Sequence, residues 1–163
     1  MEEAQKNTLV YDFSEQEKVL LLRMELQDLS IAFITSTIDK FGDEGLRFCK
    51  ELIKNRLGSL LMGYKQFFNV LSNDAVSIAS LIMSRRALLG EEYHVLELSS
   101  KNCEVNIRNC PLIKTKSNVE MCEILSEGEN AAAKMINPKA IASCRRLTTK
   151  KRPQCRITIR IVD

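Results

Sequence analysis

The apolar residues of this chain change their period near residue 91, and that change divides it into a helical layer and a layer built on strands. Before it, apolar residues recur at three- and four-residue steps, the repeat of a helix with one apolar stripe. After it they alternate with polar residues, the repeat of a half-buried strand. Ser14 and Glu17 have the spacing of a capping box, in which each side chain satisfies a backbone amide at a helix start. A long helix should follow to about Phe41, with Leu22, Leu26, Leu29 and Phe33 on one stripe and Gly42 as its stop. A second helix should run through Leu46, Cys49, Leu52 and Ile53 to about Leu57, with Gly58 and Gly63 interrupting it or allowing close packing. A third carries Tyr64, Phe67, Phe68 and Leu71. Ser72-Asn73-Asp74 is a turn and cap signal, and a fourth helix should span 75–89, ended by Gly90.

Beyond the change, 93–98 is β-rich, 99–102 is a turn, and Cys103, Val105 and Ile107 alternate with Glu104, Asn106 and Arg108. Pro111 breaks that strand directly after Cys110. Ser117 and Glu120 offer a second capping box for a helix over 119–136, which Asn137-Pro138 terminates. Strands over 143–149 and 155–162 should form a second hairpin, with Cys155, Ile157, Ile159 and Ile161 on one face. A short extended lead-in over 8–13 precedes everything. The expected fold is α+β: about four helices packed on a small antiparallel sheet, with a ββαββ C-terminal half. At 163 residues it fits a single domain, 1–163, with 1–90 as the helical layer and 91–163 as the cysteine-containing layer.

Net charge is +3, unevenly spread: residues 134–163 carry +8 and the rest −5. A basic end favours phosphate, carboxylate or nucleic acid. Lys150, Lys151 and Arg152 read more simply as a solvated hairpin tip, and no aromatic residue follows Tyr93 to stack on bases, which argues against nucleic acid. No apolar run is long enough to cross a bilayer, and Met1-Glu2-Glu3 opens no signal peptide, so a cytoplasmic location is expected. Gly-rich phosphate loops, nucleophile elbows and paired-histidine metal motifs do not occur.

Six cysteines in a reducing compartment are thiols, metal ligands or redox centres rather than a disulfide framework. Cys49, mid-helix among apolar residues, and Cys103 and Cys155, on apolar strand faces, read first as packing residues. Cys110 falls in register with Glu104, Asn106 and Arg108, on the polar side at a strand end, where Arg108 would favour its thiolate. Cys122 lies early in a helix, where free amides do the same. Cys144 stands beside Arg145 and Arg146. No CxxC pair occurs, so a zinc site would have to be assembled from distant segments, the sheet bringing Cys110, Cys122, Cys144 and Cys155 together. His94, the single histidine, reads as a partly buried structural imidazole; pairing it with Cys110 needs a favourable hairpin register.

Phe41-Gly42-Asp43-Glu44-Gly45-Leu46, Val105-Asn106-Ile107-Arg108-Asn109-Cys110-Pro111, Met121-Cys122-Glu123, Ile136-Asn137-Pro138 and Gln154-Cys155-Arg156-Ile157-Thr158-Ile159 occur in this order. In these stretches the chain resembles the L-2-amino-thiazoline-4-carboxylic acid hydrolase-like family, and its second half resembles the wider 4-vinyl reductase-type small-molecule-binding domain. The resemblance implies functional roles for Cys110, Cys122 and Cys155. It implies opening of a cyclic amidine C–N bond, with Cys110 or Cys122 as nucleophile or a cysteine-bound zinc activating water. Arg108, Arg145, Arg146 and His94 would then hold the substrate, while His94, Glu120 and Glu123 are the nearby candidates for a base. The alternatives are a non-enzymatic small-molecule or redox sensor, with a pocket between helices and sheet, and a structural or interaction domain with buried cysteines. A homodimer is also expected, because Leu20, Leu21, Ile31 and Ile34 give the first helix more apolar positions than one face needs.

Overall fold

The computed structural model describes residues 14–108, 110, 118–147 and 154–162. Among them are three helices, α1 (Glu15–Phe67), α2 (Ala75–Leu88) and α3 (Asn118–Ile136), and four strands, β1 (Tyr93–Leu98), β2 (Asn102–Ile107), β3 (Ala140–Leu147) and β4 (Gln154–Ile161). The α+β class and the ββαββ second half are as the periodicity requires. The lead-in over 8–13, the capping-box residue Ser117 and the basic hairpin tip at 150–152 lie outside the described residues.

The Ser14 capping box forms in full: the Glu17 amide donates to the Ser14 hydroxyl, and the Ser14 amide donates to the Glu17 carboxylate. Gly42 bends α1 rather than ending it, holding φ 55° and ψ −133° inside an otherwise helical run. Only a residue without a Cβ takes that conformation at little cost.

The expected second and third helices are one element. Gly42 bends α1 and Gly58 and Gly63 do not interrupt it, so the four helices expected before residue 91 are two, α1 and α2, and α3 is the helix of the ββαββ half. Gly58 lets α1 approach α3, since a Cβ there would collide with the sulfur of Met135. Gly128 serves the same contact from α3, where a Cβ would stand 2.6 Å from Ile53 Cγ2. Asp74 caps α2 by accepting from the Ser77 amide at 2.8 Å.

The strands form one antiparallel sheet in the order β1-β2-β4-β3, so β4 crosses over to sit between β2 and β3. One face carries Cys103, Val105, Ile107, Cys155, Ile157 and Ile159, all buried against α2 and α3 with Ile78, Leu81, Ile82, Ile124 and Ala132. Helix α3 also guards the β3 edge: Asn130 Oδ1 accepts from the Ala142 amide and Ser126 Oγ from the Cys144 amide, each at 3.0 Å. Those amides would otherwise form an open template for another strand.

Candidate functional site

Four thiols meet where this sheet joins α3. Strand β4 places Cys155 opposite Ile107 of β2 and opposite Arg146 of β3. The chain leaving β2 at Ile107 reaches Cys110 three residues later, and Cys110 is buried. Cys122 lies one turn into α3, and Cys144 sits on β3, tied to α3 through Ser126. The Cys155 thiol is in hydrogen-bonding contact with those of Cys110, Cys122 and Cys144. None of the six cysteines is in a disulfide. The three neighbouring sulfurs, and then burial, push the Cys155 pKa far above the usual thiol range. The arrangement is a hub with three spokes; among the described residues, no group of three or more His, Cys, Asp or Glu is spaced as a ready metal cage.

Cys110 differs from its sequence reading. Strand β2 ends at Ile107, so the alternation that put Cys110 on Arg108's side stops before reaching it. Cys110 turns into the core while Arg108 stays exposed. Cys49 and Cys103 are buried, and burial raises both their pKa values. For Cys49 a hydrogen bond with Thr37 partly offsets this.

Of the residues proposed to hold a substrate, His94 and Arg145 lie on the sheet face away from the thiols and Arg108 is exposed, while Arg146 pairs with Cys155. His94 pairs with Asn106 and is exposed, on the sheet face away from the core. Arg145 pairs with Arg156 on that same outer face, where both line a cavity of about 540 Å³ with Glu104, Thr158 and Arg160. Arg156 is held there by Glu104 at 2.7 Å. Arg146 lies opposite Cys155 along the ladder. Of the candidate bases, Glu123 is taken up by Lys50 in an ion pair at 3.3 Å.

Sequence reasoning missed a buried ion trio beside the thiols. Arg86 of α2 donates to Glu129 of α3 at 2.7 Å and to Glu91 at 2.6 Å, and all three residues are buried. Burial alone would lower the Arg86 pKa; the two carboxylates hold it well above its ordinary value, and Cys144 adds to that field. The available signal was Glu129, a charge standing on the face of α3 that otherwise buries Ile124, Ala132, Ala133 and Ile136.

A second feature is the outer surface of α1. Val19, Leu22, Leu26, Leu29 and Phe33 are each more than half exposed, while Ile34 is buried and Gln27 bonds the Leu89 carbonyl at 2.6 Å. The stripe read from the sequence therefore faces outward. It continues into an apolar cavity of about 430 Å³ at the Gly42 bend, lined by Phe33, Phe41 and Phe48.

These features define a class: an α+β protein with a kinked first helix, helices over one face of a four-stranded antiparallel sheet, and thiols at their junction. No protein-family model matches the sequence, and no curated protein matches it. Among solved structures the chain is similar to a trafficking protein particle complex subunit 3 from Naegleria fowleri, covalently bound to palmitic acid. The TM-score is 0.57 at 14% identity, over 91% of this chain and 98% of that one. A likeness at that identity concerns the fold. It nonetheless overturns the resemblance to amino-thiazoline hydrolases and 4-vinyl reductase-type domains, whose short motifs find no family-level support. The hydrolase and redox-sensor readings fall with it. Among the described residues no helix is long and apolar enough to cross a membrane.

Proposed function

We propose that this chain is a non-catalytic assembly module, the subunit type of protein to which its structural neighbour belongs, and that it docks through the first half of α1 onto a second copy of itself. The observation that carries the reading is the exposed seam. Val19, Leu22, Leu26, Leu29 and Phe33 follow alternating three- and four-residue steps, the a and d positions of a coiled coil. An apolar strip of this kind is rare on a protein that works alone.

Charge favours a second copy in antiparallel orientation. Setting Leu26 against Leu29 of the other copy places Phe33 against Leu22 and brings exposed Lys18 near exposed Asp39 at both ends of the seam. The six thiols suit the reducing interior of a cell, the compartment this reading assigns.

Sedimentation equilibrium over a range of concentrations tests it. A dimer is expected, and Leu26→Glu with Leu29→Glu should give a monomer with unchanged circular dichroism. Lys18→Glu should weaken association, and adding Asp39→Lys should restore it. A wild-type chain that stays monomeric at every concentration overturns the self-association.

A further inference from the structure

We propose that Cys110, Cys122, Cys144 and Cys155 together bind one zinc ion, which ties the chain after β2, helix α3 and the β3–β4 hairpin into one unit. The inference stands apart from the assembly reading and rests on different residues.

Four elements that are distant in sequence deliver one sulfur each to the same place. Packing alone gives no reason for that, because isolated buried cysteines such as Cys49 and Cys103 satisfy the core elsewhere. In an all-sulfur tetrahedral zinc site, zinc–sulfur bonds of about 2.3 Å put the sulfurs about 3.8 Å apart, within reach of thiol–thiol contact. The Cys155 thiol is hydrogen-bonded to each of its three neighbours, and the strand registers and the Ser126 bond to the Cys144 amide bring β4, β3 and α3 together at that point. Converting hub and spokes into a cage calls for side-chain rotation about Cα–Cβ bonds. The backbone of Cys155 is held by ladders on both sides, and that of Cys144 by the β3–β4 ladder and the Ser126 hydroxyl.

A set of four thiolates selects zinc or an iron–sulfur centre over oxygen-seeking cations. Four protein sulfurs fill a tetrahedral zinc, so the site is closed and its role is structural. Binding is a proton exchange without redox change: one Zn²⁺ and four thiols give a tetrathiolate complex of charge −2 and release four protons. Acid therefore opposes loading.

The full chain, purified under reducing conditions, should contain roughly one zinc per chain by elemental analysis. A mercurial reagent should release it as the thiols are titrated. After chelation, adding cobalt(II) should produce thiolate-to-cobalt charge transfer in the near ultraviolet and the visible bands of a tetrahedral centre. Cys122→Ser and Cys155→Ser should lose the metal, while Cys49→Ser and Cys103→Ser keep it. The cobalt spectrum is read on the wild-type chain, so a variant that fails to fold does not mask the answer. Absence of cobalt–thiolate bands, an iron–sulfur chromophore in place of zinc, or equal metal loss in Cys49→Ser overturns the proposal. None of these outcomes depends on whether the chain dimerises.

Discussion

Arg86, Glu91 and Glu129 share one buried guanidinium between two carboxylates, and the trio is stable only while all its members are present. Removing Arg86 leaves two carboxylates in the core without a counter-charge. Arg86→Met should cost about 3–5 kcal/mol, read as a lower urea midpoint. Replacing all three by apolar residues of similar size should recover most of that loss, because the desolvation cost disappears with the charges. If the single and triple variants unfold alike, the trio is not an energetic unit. Asp74 makes a smaller case in which the sign can be worked out. The bond from the Ser77 amide is the strongest influence on its carboxyl and lowers its pKa, so its cap is fully present above the ordinary carboxylate value. It is lost as pH falls through the lowered, folded value. Asp74→Ala should cost about 1 kcal/mol at neutral pH. The gap should narrow in acid, and Asp74→Asn should keep the cap without the pH dependence. Both capping residues were legible because their bonds are local. The trio was not, since Glu91 and Glu129 meet Arg86 only after α2 and α3 pack, and Cys110 was misplaced because strand alternation was carried past the end of β2.

Among the elements, strand positions and the start of α1 were legible, and the helix count was not. A glycine inside a helical pattern can mark an end, a bend or a contact, and the sequence does not separate them. Here Gly42 bends α1, Gly58 and Gly128 make the α1–α3 contact, and Gly63 has nothing within 4 Å of where its Cβ would stand. The three roles predict opposite signs for the same substitution. Gly63→Ala should stabilise by roughly 0.5–1 kcal/mol, because an exposed helical glycine only costs chain entropy. Gly128→Ala should destabilise by about 1–3 kcal/mol despite its better helix propensity, because the methyl meets Ile53 and Leu57. Thermal unfolding of the two variants beside the wild type settles the matter. Destabilisation by both, or by neither, would mean that the α1–α3 spacing does not set their sign. The outward stripe of α1 was legible as a stripe, but its direction was not: periodicity shows that a helix has an apolar face, and only packing shows what the face meets.

At the scale of the whole molecule, the first half of α1 stands partly outside the structure it begins. Among the described residues, Ile34 is the one member of the buried core that comes from before Gly42; the others lie on the second half of α1, α2, α3, the sheet and Cys110. Residues Ile31 and Ile38 pack against that core from its margin, and Gln27 adds its bond to the Leu89 carbonyl. The bend at Gly42 thus separates a segment that builds the core from one that presents an apolar seam. If the seam serves assembly and the core stands without it, a chain beginning at Gly42 should keep the sheet and α2–α3 packing. It should lose about 1.5–3 kcal/mol for the exposure of what Ile34 covers, and somewhat more for its neighbours. Its unfolding should stay cooperative, with a lower midpoint, and its mass in solution should be that of one chain at concentrations where the longer chain pairs. A shortened chain that still pairs would move the interface off the seam, to the edge strand β1, whose residues are all exposed. A shortened chain that no longer folds would show that the first half of α1 is part of the core in energy, although it contributes little to it in buried residues.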